Sequence, residues 1–402
     1  MIASIHQPST TTFELFDKLL LLSRGRATYN GHVADVRDYF ASLGYEMPLY
    51  TNPAEYILQL VNTDFEMDQK KPAGLLDHLH AAWAQSRQSA AITSEIANEK
   101  SNSATLSTDL THYSANPFLL PLTLMHRSLI KSYRDIVAYG IRIAMYMGLA
   151  LMMATVWLRL EPTQSNIGAF TNAIFFGGAF MSFMAVAYIP AYLEDLHLYT
   201  KERANGLYGP TAFMVANFVV GIPYLFLITI LFSIIAYWLS NMRNTADGFW
   251  TWVMWLFLDL LAAESLVVLL SSLIPIFVVA LAATAFANGL WMCVNGFMVQ
   301  PQTLNVFWRY VFHYIDYQAY VFRGMMVNEF GGRSYSCERL QDGGCYCMYP
   351  ASPQDQCKID GTAVLESYGY KTGGVGKYVG YMLVITLGYR LFGWLVLYLK
   401  KH

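Results

Sequence analysis

The chain has 402 residues, of which 55% are apolar and only 13% charged, with a net charge of −2. That charged share is about half of what soluble domains carry, and with no basic stripe a nucleic-acid partner is excluded. Charge is also uneven: residues 1–135 hold most of it, and long stretches afterwards hold none.

The first 65 residues alternate strand and helix signals. Ile2–Ile5 reads as a buried strand ending at His6, Thr10–Phe16 as one or two helical turns, and Lys18–Ser23 as a second strand. Arg24-Gly25-Arg26 predicts a hairpin turn and Tyr29-Asn30-Gly31 another. An amphipathic helix follows near 32–43, and Asn52-Pro53 starts a helix through Val61, with Pro at its first position. Such a segment is too small to bury a proper core alone. Residues 66–117 are rich in Ser, Thr, Asn, Gln and Ala and read as a polar, mobile linker. From 118 to 136 the pattern is a basic amphipathic helix lying along a membrane interface.

Six apolar runs then fill 137–159, 167–193, 211–239, 249–274, 276–299 and 378–399. Each is long enough for a helix to cross a hydrocarbon core of about 30 Å. No secretory signal opens the chain, so insertion would rest on the first of these runs. Short-loop Lys and Arg set the orientation. Arg127, Lys131 and Arg134 precede the first run, Lys201 and Arg203 lie between the second and third, and Lys400 and Lys401 follow the last. Both termini are therefore expected in the cytoplasm, with the long loop 300–377 outside. In that loop, Cys337, Cys345, Cys347 and Cys357 read as disulfides, with three pairings open. Zinc is the rival, but Cys345-Tyr-Cys347 lacks the usual spacer and no histidine is near, so no metal site is expected.

Polar residues inside the runs point to a pathway: Asp259 and Glu264 in the fourth, Asn288 and Asn295 on one face of the fifth. Phe180 and Phe183 share a face of the second. Arg142, near the start of the first, is expected to snorkel to the cytoplasmic interface.

Several stretches carry a family resemblance. Ser4-Ile5-His6-Gln7-Pro8-Ser9, Phe13–Leu22 and Tyr29-Asn30-Gly31, followed by Asn52-Pro53-Ala54-Glu55-Tyr56, resemble the end of the nucleotide-binding domain in the G (White/pleiotropic-drug-resistance) subfamily of ABC transporters. Glu202–Tyr208, Gly221-Ile222-Pro223 and Val327-Asn328-Glu329-Phe330 resemble motifs of its membrane domain. The resemblance implies a mainly α membrane protein of six transmembrane helices, preceded by a C-terminal fragment of an α/β nucleotide-binding domain at 1–65. The membrane domain would run from 118 to 402.

What the resemblance implies for function is an ATP- and Mg²⁺-dependent exporter of hydrophobic or amphipathic compounds. It would sit among membrane lipid, most readily in the plasma membrane, as a homodimer or as a heterodimer with a related half-transporter. The Walker A, signature and Walker B motifs would lie upstream. Gly373-Gly-Val-Gly376-Lys377 does not substitute for a phosphate loop, since Tyr378 follows the Lys where Ser or Thr is needed. The chain as written is expected not to hydrolyse ATP. His6 would be the switch histidine at the γ-phosphate, Glu202 and Arg203 the coupling residues, and Phe180, Phe183, Asn288 and Asn295 the lining of a slit between protomers. Residues 302–330 would form a re-entrant turn and an external helix. A natural regulatory partner without ATPase function, dimerising with full-length transporters, is the alternative reading.

Overall fold

The computed structural model describes residues 3–62, 74–102, 119–340, 344–350 and 357–400. Two units follow one another along the chain, Met1–Tyr113 and Ser114–His402.

The first unit opens with α1 (Thr10–Phe13), capped by the Ser9 hydroxyl, which accepts from the Thr12 N–H. An antiparallel hairpin follows, β1 (Lys18–Ser23) and β2 (Arg26–His32). Arg24 and Gly25, at φ 47° and 74°, make the two-residue turn whose twist suits such a hairpin. Next come α2 (Val36–Ser42) and α3 (Pro53–Val61), the latter capped by the Asn52 side chain on Ala54 N–H. Two further helices complete the unit, α4 (Leu75–Ala84) and α5 (Arg87–Asn102).

Two expectations fail here, and a third stretch proves more structured than its composition suggests. Residues 3–5 form no strand and are exposed, because among the described residues β1 and β2 pair only with each other and offer them no partner. Tyr29-Asn30-Gly31 is not a turn but the middle of β2. The fully buried Tyr29 ring folds back over Gly31, where a Cβ would come 2.7 Å from its hydroxyl, and that hydroxyl donates to His32 O at 2.7 Å. The polar stretch read as a linker contains α4 and α5. Leu79 and Trp83, four residues apart, are buried on one face of α4, and Trp83 lies 5.7 Å from the Tyr29 ring. The remainder of that stretch, 63–73 and 103–118, lies outside the described residues.

The second unit begins with α6 (Leu119–Arg134) and crosses the membrane with six helical segments, as expected. These are α7 (Ile136–Val156), then α8 (Ile167–Met184) continued through a 3₁₀ turn into α9 (Ile189–Ala204), α10 (Pro210–Leu239), α11 (Ala246–Leu273), α12 (Phe277–Val294) and, last in the chain, α15 (Val375–Leu399). The chain is an integral multi-pass membrane protein. Its hub is α11: 78% of its most apolar stretch is buried, against 28% for α10, α12 and α15.

Between α12 and α15 lies α13 (Tyr317–Phe330), preceded by a wide turn at Trp308–His313. A Cβ at Gly324 would collide with the Trp255 indole, so this glycine lets α13 approach α11 closely. Four short strands follow, β3 (Ser334–Ser336), β4 (Glu338–Arg339), β5 (Cys345–Tyr346) and β6 (Lys358–Asp360), paired β3 with β6 and β4 with β5. They bring Cys337 beside Cys347 and Cys345 beside Cys357, with Cα atoms 5.0 and 5.5 Å apart, inside the range a disulfide spans. The short helix α14 (Gly361–Ser367) leads back toward α15.

Candidate functional site

Two groups of side chains tie the membrane helices together. The first lies at the end of the bundle where α6 meets α9. Arg127 Nη1 lies 2.6 Å from Glu202 Oε1, and the Tyr208 hydroxyl donates to the other Glu202 oxygen. One turn along α6, Lys131 sits 2.7 Å from Asp195 and 3.2 Å from Glu194. Burial opposes the Lys131 charge, but the hydrogen bond and charge of Asp195 outweigh it, and the pKa of Lys131 is raised. Arg203 turns the other way, donating to the carbonyls of Leu397 and Tyr398 at the end of α15. The neighbouring Glu202 and Arg203 therefore clasp different helices and do not pair with each other.

The second group is buried in the bundle. Arg142 does not snorkel: Nη2 lies 2.8 Å from Glu264 Oε2, both side chains are 2% exposed, and the guanidinium stacks 4.7 Å over Tyr188 and 5.5 Å over Tyr224. Snorkelling loses because a carboxylate and two aromatic faces inside the bundle already satisfy the charge. From there the Asn217 amide donates to the Tyr188 hydroxyl at 2.7 Å. Arg390 donates to Asn217 Oδ1 at 2.8 Å and to Ser265 at 2.9 Å. One connected polar network thus joins α7, the 3₁₀ turn, α10, α11 and α15.

Beside this network is an apolar depression of about 640 Å³ between α7, the α8–α9 bend and α12, with Ile141, Met145, Phe183, Pro190, Phe277 and Leu281 on its walls. Its volume falls in the range of small-molecule sites. The 3₁₀ turn at Ala185–Tyr188 joins α8 to α9 and puts Val186 and Ala187 on the wall of this space.

Residues 122–330, which contain most of these groups, match the ABC-2 type transporter family. The chain belongs to that family. A second family of the same description matches residues 6–117. "ABC transporter G family member 1" of Petunia hybrida is 31% identical over 340 residues, covering 83% of this chain and 53% of that protein. "ABC transporter G family member 11" of Arabidopsis thaliana is 29% identical over 363 residues, covering 84% and 51%. The chain spans about half the length of the curated relatives it matches.

Within this ABC-2 type membrane domain, the residues singled out from sequence scatter. Phe183 lines the depression, whereas Phe180 stacks on Phe176 at 5.5 Å. Asn288 and Asn295 do share a face, but that face points into the chain. Asn288 is fully buried and accepts from the Tyr317 hydroxyl at 2.7 Å, and Asn295 Oδ1 accepts from Phe297 N–H at 3.0 Å. The outward face of α12 is apolar instead, with Val278 and Phe286 exposed. Arg390 and Asn217 were missed, although an arginine in the last apolar run is itself a signal.

His6, in the first unit, is exposed on the wall of a shallow depression of about 950 Å³ with Gln7, Ser23, Asn52 and Glu55. Neither Lys nor Arg lines it, and no cluster of three His, Cys, Asp or Glu fit for a metal ion occurs among the described residues. The residues present do not by themselves fit a Mg²⁺-bound triphosphate.

Proposed function

We propose that this chain is the membrane part of an ATP-driven exporter that moves a hydrophobic or amphipathic compound as one half of a dimer. The observation that carries this reading is the apolar depression placed directly against the network that joins four spans and the bend. A compound entering between α7 and α12 meets Phe183 and Leu281 as apolar contacts, with Asp135, Arg142 and Glu194 also on the wall, so burial rewards mainly apolar area. Substrates of that kind are lipids, sterols, pigments or drugs.

In this reading α9 is the lever. Glu202 ties it to α6 and Arg203 ties it to the end of α15. A push on the 202–208 turn is passed along a stiff helix to the bend, where Tyr188 holds Arg142 and Pro190 shapes the depression. The push would come from a nucleotide-binding domain holding ATP and Mg²⁺, to which residues 1–65 would contribute the end of the fold and His6 the γ-phosphate contact. Both termini would face the cytoplasm, most readily at the plasma membrane, and the loop cysteines would be oxidised on the outer side.

Photolabelling tests the site. A benzophenone-bearing amphiphile added to the protein in nanodiscs should label peptides containing Phe183 and Leu281. Leu281→Trp, which fills the depression, should cut that labelling about fivefold, the equivalent of roughly 1 kcal/mol of binding. Labelling confined to other segments and indifferent to Leu281→Trp would overturn the assignment.

A further inference from the structure

Between α8, α11, α12 and α13 lies a group of buried polar atoms that the transport reading does not use. Asp259 is fully buried, and both its carboxylate oxygens lie against one hydroxyl, Ser182 Oγ, at 2.7 and 2.8 Å. The same Oγ is 3.2 Å from the carbonyl of Gly178. Among the described residues no Lys or Arg pairs with Asp259: Arg142 is engaged by Glu264, and Arg390 by Ser265 and Asn217. The ionisable groups that feel its charge are Tyr146 from α7, and Asp316 and Tyr317 from the start of α13. Glu264 lies on the same helix, and Tyr389 of α15 reaches toward Asp316. Apart from Arg142, already matched by Glu264, none is cationic.

A second observation points to an occupant. Asp259, Asn295 and Gln318 line a cavity of about 10 Å³, close to the room one water needs. Gln318 is 3% exposed, yet neither its amide oxygen nor its amide nitrogen has a hydrogen-bond partner. Buried polar atoms left like this mark a place for water or an ion.

Hydrogen counting then decides the charge state. Ser182 has a single hydroxyl hydrogen, and three acceptor oxygens crowd it. An ionised Asp259 would be a bare charge in the membrane interior with one neutral donor, an arrangement that proteins avoid by neutralising the group. With a proton on Asp259, the acid donates to Ser182 Oγ and Ser182 donates on to Gly178 O. One water in the cavity can then donate to the free Asp259 oxygen and to Gln318 Oε1, while accepting from Gln318 Nε2. Each oxygen-bound hydrogen of the group then has an acceptor. We propose that Asp259, Ser182 and Gln318 form a proton site inside the membrane domain, with the proton on Asp259 and one water bridging it to Gln318.

Infrared difference spectroscopy tests this on the whole chain reconstituted in lipid at neutral pH. Wild type minus Asp259→Asn should show a protonated-carboxyl C=O band that shifts down in D₂O, with the Asp316 contribution cancelling. Ser182→Ala, which removes the acceptor, should move that band to higher frequency. Absence of the band from the difference, or a carboxylate band in its place, would overturn the proposal. Should Asp259→Asn fail to fold, the Ser182→Ala shift decides alone, and no shift refutes it. Sodium replacing choline must leave the band unchanged. Loss of the band in sodium, with a thermal stabilisation seen in wild type only, would make this a sodium site and overturn the proton assignment.

Discussion

Arg142 on the first span and Glu264 on the fourth meet at 2.8 Å with almost no exposed surface, though 122 residues separate them. Such a pair contributes less to net stability than its geometry suggests, because two charges had to leave water. Its effect lies in what happens when one partner goes.

Arg142→Met and Glu264→Gln should each lower the thermal stability of the purified protein, by about 3–5 kcal/mol where a charge is left alone. The double variant Arg142→Met/Glu264→Met should recover most of that loss. Equal destabilisation in single and double variants, measured by unfolding in detergent, would show that the two do not act as a pair.

Glu202 should behave in the opposite way. Its partner Arg127 is 44% exposed, so the static contribution of the pair is under about 1 kcal/mol. Glu202→Gln should leave the melting temperature nearly unchanged while reducing ATP-driven transport by the complete transporter severalfold. Transport at the wild-type rate would remove Glu202 from the coupling route.

His313 gives a pH dependence. Its Nδ1 lies 2.7 Å from Val294 O, and burial lowers its pKa from the ordinary 6.5 by more than that bond raises it, with Arg309 and Arg323 adding to the lowering. A histidine whose folded pKa lies below its unfolded value stabilises the fold fully above pH 6.5, and that stability is lost as pH falls through 6.5 toward the lowered value. Hydrogen exchange across Trp308–His313 should therefore accelerate between pH 7.5 and 5.5, after correction for intrinsic rates. His313→Gln should abolish the change.

The cysteines of the loop between α13 and α15 predict a peptide map. Digestion without reductant should yield Cys337 linked to Cys347 and Cys345 linked to Cys357, and a thiol reagent on native protein should label Cys293 alone, which is exposed. Removing either link should cost about 2–5 kcal/mol of loop stability. Labelling of all the loop cysteines would show that the thiols are free.

Much of the membrane unit was legible because a span needs a long apolar run, and composition records that directly. What composition does not record is direction. The seven-residue spacing of Asn288 and Asn295 correctly gave a shared face, but α12 is apolar on its other sides as well, so nothing said which face turned inward. Arg142 misled for a related reason: its partner is remote in sequence, and a lone arginine near a span end looks like an interfacial one. In the first unit the errors were tertiary overrides. Tyr-Asn-Gly favours turns in isolation, yet pairing with β1 and burial of the Tyr29 ring hold it extended. The helix α4 did carry a signal, with Leu75, Leu76, Leu79 and Trp83 at helical spacing, but the polar residues on either side of it masked so short an apolar run.

With its asparagines facing inward, α12 presents a chemically blank exterior from Val278 to Phe286. Whatever lies against it, lipid tail or another helix, has no donor or acceptor there to lock onto. Alignment along that seam is set by apolar bumps such as Val278, Val279, Leu281 and Phe286, so a neighbour shifted lengthwise by a helical turn breaks no hydrogen bond to this stretch. In a bundle otherwise cross-tied by arginines, α12 is a greased rail.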